Sequence, residues 1–276
     1  MKVKNHFMFY DDGTQVPFVA SPNTQPGLEP EYLVIHYTAG PSVKAAVNTL
    51  TNPQAKVSSH LVIGRDGSIT QLVPFNIIAW HAGASSWDGR VGLNKYSIGF
   101  ELDNNGRLIR KGSQWTGIFG TLVPNDQVME AFHKNGRGPY GWQVYPEAQI
   151  LAALEAGQAL FQVYKLLDVV GHDDIAPLRK VDPGPAFPLE SFRARIVGRA
   201  EDHPPVYETT ANLYIRSGAG SEFKPLIKNP LPKGTRLERM ETQGTWMHAQ
   251  VLDVIDGVMD LEGWVHTRYI KRLLGA

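Results

Sequence analysis

Two short apolar runs in this chain each stop on a histidine: Tyr32-Leu33-Val34-Ile35 runs into His36, and Asp168-Val169-Val170-Gly171 runs into His172. Runs of this length, apolar on both faces, suit strands buried inside a sheet covered on both sides. Thr38-Ala39-Gly40-Pro41 closes the first run, and Val43, Ala46, Val47 and Leu50 then recur at helical spacing. Residues 59–73 read as a hairpin, SHLVIG and SITQLV, with Gly67 able to supply the positive φ of the turn. Ser97–Leu102, SIGFEL, is a further strand candidate. A long helix is expected to start at Pro146, a favoured first-turn residue, with Ile150, Leu151, Leu154, Phe161, Tyr164 and Leu167 along one face. Strands and helices mixed in this way predict an α/β domain whose sheet is covered by helices.

The pattern changes near residues 199–209, RAEDHPPVYET, a polar stretch with Pro204-Pro205 and no periodicity. Short β-type runs broken by Gly and Pro follow it. The expected division is therefore residues 1–200, a linker at 201–209, and a second domain at 210–276. Residues 103–145 are rich in glycine and show little periodicity, so they are expected to form a long irregular connection. Its Trp115, Phe119, Phe132, Tyr140 and Trp142 either flank a ligand or cover an edge of the core.

Composition removes several function classes. There are no cysteines in the 276 residues, so disulfides, thiolate metal sites and a cysteine nucleophile are excluded. Equal numbers of basic and acidic residues, 27 of each, leave no net field to draw the chain to nucleic acid or an anionic membrane. No apolar run approaches the roughly 20 residues of a membrane-spanning helix. Asp11 and Asp12 stand where a secretory signal would carry its apolar core, so the ordinary secretory route is not expected.

Strand ends hold side chains firmly at one rim of a sheet, where ligand sites of α/β domains lie. His36 and His172 are so placed, and Asp182 lies ten residues beyond His172. Two imidazoles and a carboxylate, with a fourth position left for water, match a catalytic zinc site. Spacing alone leaves the alternative open that each histidine is a hydrogen-bonded core residue, because ligands so far apart carry no local signature.

The wording around these residues is more specific. The segments VIHYTAG (34–40), VSSHLVIGRDGSITQLVP (57–74), AWHAG (79–83), NKYSIGFEL (94–102) and GHDDIAPLRKVDPGPAFP (171–188) occur in this order. Together, over roughly residues 30–195, the chain resembles the zinc-dependent N-acetylmuramoyl-L-alanine amidases of the amidase-2 and peptidoglycan-recognition type. The resemblance implies a mixed central β-sheet flanked by helices, with one zinc ion per chain in a surface cleft. It implies hydrolysis of the amide between the lactyl group of N-acetylmuramic acid and L-alanine of the stem peptide. It also implies peptidoglycan or muropeptides as the partner.

Residue by residue, the resemblance makes His36, His172 and Asp182 the metal ligands, Glu101 the general base, and Lys180 the group that steadies the oxyanion. Asp182 precedes Pro183, which favours an extended backbone at the ligand. Trp80, His81 and Asn94 fall in motifs near the cleft, as substrate contacts or as packing and loop-pinning groups. His60 is read as structural, and His6, His133, His203, His248 and His266 as ordinary histidines. The alternative function on the same fold is a peptidoglycan-binding protein without hydrolysis, which could drop a ligand without penalty.

Beyond the linker, ANLYIRSGAG (211–220), LPKGT (231–235) and GWVH (263–266) punctuate short β-prone runs, as in a small barrel. Their order resembles bacterial SH3-like domains, which accompany cell-wall hydrolases and bind wall peptides; a purely packing role is the alternative. A bacterial or phage setting follows from the resemblance, whether muropeptide recycling in the cytoplasm, phage-type lysis or specialised secretion.

Overall fold

A computed structural model describes residues 1–136, 139–198 and 206–273. The chain divides into two units. The first comprises Met1–Ser85 and Gly92–Val197; the second comprises Ser86–Val91 and the segment from Gly198.

The first unit is built on a five-stranded sheet of β1 (Tyr32–Tyr37), β2 (Leu61–Ile63), β3 (Ile69–Gln71), β4 (Ser97–Leu102) and β5 (Asp168–Gly171). Its order is β5-β1-β4-β2-β3. The first four strands in that order are parallel, and β3 returns antiparallel to β2 through a turn with Gly67 at φ +84°. The sheet is therefore mixed. The run expected as a strand at 32–36 forms Tyr32–Tyr37, and the strand expected at 97–102 and the hairpin at 59–73 are where the apolar pattern put them.

The pleat sends alternate side chains to opposite faces. Leu33, Ile35, Leu61, Ile63, Ile98, Phe100, Leu102 and Val169 join one cluster with Leu154 and Leu160 of helix α2 (Glu147–Val163) and with Phe192 and Ile196 of a later helix (Leu189–Val197). On the other face Val62 packs with Ala46 and Leu50 of helix α1 (Val43–Leu50), which Ser42 caps by accepting the Ala45 N–H. His36 lies one residue from Ile35, and Glu101 one residue from both Phe100 and Leu102. Both therefore point to the α1 face, at the C-terminal ends of parallel strands.

Two expectations are corrected. Helix α2 does begin after Pro146, but it ends at Val163, so Tyr164 and Leu167 lie outside it, and Leu151 is exposed. Its buried face is made of Gln149, Ala152, Ala153, Leu154, Ala156, Gly157, Ala159 and Leu160. Small residues let the helix lie close on the sheet, and a Cβ at Gly157 would meet Ile196 at 2.6 Å. The stretch 103–145 is not irregular. It carries a five-stranded antiparallel sheet in the order Leu122–Val123, Gln114–Thr116, Arg107–Lys111, Pro139–Gln143, Val128–Phe132. Residues 137–138 lie outside the described residues.

The second unit is all β among its described residues. An antiparallel sheet runs Glu262–His266, Trp246–Val251, Arg236–Gln243, Val206–Thr209, Ile270–Arg272. Its core gathers Tyr207, Ile215, Leu231, Leu237, Met247, Val265 and Ile270. The expected linker at 201–209 falls partly outside the described residues, and its last four residues are a strand of this sheet. The Ser86–Val91 segment, a two-strand hairpin, belongs to this unit although its sequence interrupts the first. Asp88 accepts a hydrogen bond from the Tyr207 hydroxyl at 3.0 Å.

Candidate metal centre

Register places Glu101 of β4 directly beside His36 of β1. His172 opens a single helical turn, His172–Ile175, at the end of β5, and Asp182 lies on the loop that follows. All three of His36, His172 and Asp182 are buried, and one ligand atom from each lies within 4.8 Å of the others. His36 Nδ1 is 2.8 Å from His172 Nδ1 and 3.0 Å from Asp182 Oδ2, and His172 Nδ1 is 2.9 Å from Asp182 Oδ2.

The outer partners assign the imidazole protons. His81 Nε2 lies 3.3 Å from the Ser97 carbonyl, which can only accept, so His81 carries its proton there. Its Nδ1, 2.9 Å from His36 Nε2, then accepts from His36. That leaves His36 Nδ1 as a bare lone pair facing the cluster. His172 Nε2 donates to the Ala82 carbonyl at 3.1 Å, which likewise leaves Nδ1 bare in the neutral ring. Burial, and then His172 nearby, push the His36 imidazolium down to about 4, so the ring is neutral at physiological pH. Burial alone would raise the Asp182 carboxyl, but any proton shared onto a facing imidazole nitrogen lowers it well below the ordinary range, so the acid stands as a carboxylate. Two lone pairs and a carboxylate thus converge on one point, an arrangement that repels itself without a cation. The donor set suits zinc, which takes imidazole nitrogen and carboxylate oxygen at about 2.0–2.2 Å.

Glu101 is the other unusual acid. Its Oε2 is buried with no hydrogen-bond partner among the described residues. Burial, then repulsion by Asp182, pushes its carboxyl up to about 8, against an opposing pull from Lys180. Such a group can take or give a proton near neutral pH. Beside it opens a cavity of about 360 Å³ between α1 and the inserted sheet, whose wall includes Thr38, Gly40, Ala45, Thr49 and Phe119.

The remaining residues singled out in the sequence separate by position. Asn94 Oδ1 accepts from the His81 and Ala82 N–H groups at 3.0 and 2.7 Å, pinning the loop that carries both. Trp80 packs against the main core cluster. His60 is saturated: its Nδ1 accepts from Gly99 N–H and its Nε2 donates to the Ile77 carbonyl. Of the aromatics at 103–145, Phe119 flanks the cavity and Trp142 is fully buried. The sequence reading missed two contacts, the His81–His36 bond and a buried pair between His133 and Asp173 at 2.9 Å. Both form across long sequence separations, and no local pattern signals them.

Residues 26–185 match the family described as N-acetylmuramoyl-L-alanine amidase. The chain is 33% identical to the N-acetylmuramoyl-L-alanine amidase AmiD of Escherichia coli over 215 residues, 70% of this chain and 67% of that one. It is 32% identical to the 1,6-anhydro-N-acetylmuramyl-L-alanine amidase AmpD of the same organism, covering 60% of this chain and 82% of that one. Among solved structures it is similar to a selenomethionine derivative of AmpD, at 27% identity and a TM-score of 0.49 over 71% of this chain and 99% of that one. It is also similar to E. coli AmiD in complex with anhydro-N-acetylmuramic acid-L-Ala-D-γ-Glu-L-Lys, at 31% identity and a TM-score of 0.46, over 69% and 66% of the two chains.

Proposed function

The chain belongs to the N-acetylmuramoyl-L-alanine amidase family, and we propose that it hydrolyses the lactyl–L-alanine amide of peptidoglycan with one zinc ion held by His36, His172 and Asp182. The observation that carries this reading is the convergence of three bare donor atoms next to Glu101, a carboxyl lifted by burial into the neutral range.

Bound zinc supplies a Lewis acid that polarises the amide carbonyl and brings the pKa of a water to about 7. The protein supplies the rest. Glu101 receives the proton of the attacking water and delivers it to the departing alanine nitrogen, without which an amide nitrogen leaves poorly. Lys180 would steady the charge that grows on the carbonyl oxygen, a role in which a lost donor costs about 2.7–4 kcal/mol. His81 and the Ala82 carbonyl hold the two imidazoles in the tautomer that presents Nδ1. The cavity between α1 and Phe119 is the space beside Glu101 in which part of the muropeptide would lie.

The second unit, read as an SH3-like domain, would hold the enzyme on the wall polymer and so raise its local concentration. Both the cleavage and the docking are tested by digesting purified sacculi and soluble muropeptides and identifying the products by mass spectrometry. Free stem peptides beginning with L-alanine, beside peptide-free glycan, are expected. Intact muropeptides after incubation with the zinc-loaded protein would overturn the assignment and favour a recognition protein.

A further inference from the structure

We propose that His133, on the inserted sheet, is a positioning residue that fixes the spacing of two metal ligands and thereby sets the affinity for zinc. The inference rests on His36, His172 and Asp182 being the ligands.

His133 follows the strand Val128–Phe132 and is buried, as is Asp173. Its Nδ1 accepts the Asn135 N–H at 3.1 Å, so its proton sits on Nε2 and is donated to Asp173 Oδ2 at 2.9 Å. Asp173 immediately follows His172, and its own N–H donates to the Asp182 carbonyl at 2.8 Å. One residue therefore links the segments of two ligands, and His133 holds that residue by its carboxylate. Lys134 and Asn135 add to the grip, through Asp173 Oδ1 at 2.9 Å and the Asp173 carbonyl at 2.7 Å. The His133 ring also stacks on Trp142, with centroids 5.5 Å apart. Trp142 in turn presses on Gly184, where a Cβ would come within 2.5 Å of the indole. The inserted sheet thus bears on both ligand segments at once.

The need for such a brace follows from the donor set. Three electron-rich atoms within about 3 Å of one another push apart unless the backbone that carries them is held. Removing the imidazole leaves a buried carboxylate whose remaining side-chain partner, Lys134, is nearly half exposed. The turn bearing His172 then loosens, and zinc must supply the ordering that the protein no longer does.

The test uses the full chain, measuring zinc affinity by competition with a chelator and, separately, thermal unfolding without metal. His133→Ala should weaken zinc roughly 10–100-fold, as the loss of groups that orient ligands does elsewhere. His133→Gln, whose amide can still donate to Asp173, should recover most of it. Phe132→Ala, the exposed neighbour, should bind as the parent does. Parental zinc affinity in a folded His133→Ala protein overturns the proposal, whatever happens to its melting temperature. Should that variant fail to fold, His133→Asn, whose shorter amide does not reach the Asp173 carboxylate, carries the same expectation, and unchanged zinc affinity there overturns it. A parent chain that binds no zinc would instead overturn the ligand assignment beneath it.

Discussion

At the scale of single residues, ligands and proton carriers respond to different experiments. His36→Ala or His172→Ala removes one of three donors, and two hold zinc poorly. Near-complete loss of both metal and hydrolysis is expected, checked by metal analysis of the purified protein. Glu101→Gln and Lys180→Ala should retain zinc and lose two to four orders of magnitude in turnover, on the order expected for a missing proton carrier or oxyanion donor. A Glu101→Gln protein within a few-fold of the parent would remove Glu101 from the mechanism. Its pH behaviour without metal is a second check. The folded carboxyl titrates at about 8, whereas an unfolded glutamate titrates near 4.5. Between these values the folded state holds a proton that the unfolded state has released, so Glu101 costs stability progressively as pH rises from about 4.5 to 8. Metal-free Glu101→Gln should therefore gain stability over the parent as pH rises through that window, and the gap should close below it. A bound cation would pull the Glu101 carboxyl back down, so activity should rise with pH to a midpoint below 8 in the zinc-loaded enzyme.

At the scale of elements, helix α2 makes the sharpest packing prediction. Gly157 sits against Ile196 and Leu33, with a Cβ 2.6 and 3.3 Å from their terminal methyl carbons. Gly157→Val should cost about 1–3 kcal/mol through overpacking, read as a lower unfolding midpoint in denaturant. An unchanged midpoint would mean that the helix can lift from the sheet without cost. The same helix shows why its face was only partly read: the bulky Ile150, Leu154 and Phe161 do pack on the core, but close helix–sheet packing also selects Ala and Gly, which the apolar pattern does not mark. The parallel strands were legible because burial on both faces demands uninterrupted apolar runs such as YLVI. The inserted sheet was not, because most positions of its strands other than Pro139–Gln143 are exposed or half-buried. Along Arg107–Lys111 only Leu108 is buried, so no alternation betrays the pairing. The segments that carry His36 and His172 were legible because each closes an apolar strand, and Asp182 because it lies in the same phrase as His172. The groups that orient them, His81 and His133, reach them across 45 and 40 residues of sequence, to His36 and Asp173 respectively, and only the folded chain brings these pairs together.

At the scale of the whole molecule, a single cut near residue 198 does not separate the two units. Ending the chain at Gly198 keeps His36, Glu101, His172, Lys180 and Asp182, but strands the Ser86–Val91 hairpin that belongs to the second unit. Gly89 in that hairpin is so close to Ile270 that a Cβ would lie 2.0 Å from its carbonyl oxygen. The hairpin has a natural neck, since Gly92 N–H donates to the Ser85 carbonyl at 2.8 Å and Ser85 Oγ accepts from Leu93 at 3.0 Å. Replacing residues 86–91 by a short turn, and ending the same chain at Gly198, should therefore leave a first unit that folds, binds zinc and cleaves soluble muropeptides. Simple truncation, with the hairpin bare, should be less soluble and less stable than this double excision. On intact sacculi the doubly excised enzyme should fall tenfold or more below the full chain, because tethering acts through effective concentration and leaves the chemistry alone. If the second unit only steadied the first, activity on the soluble and the polymeric substrate would fall together. Equal rates of the excised and full-length enzymes on both would remove wall docking from its role. Assaying one preparation on both substrates separates these outcomes, since loss of folding and loss of docking differ in which substrate suffers.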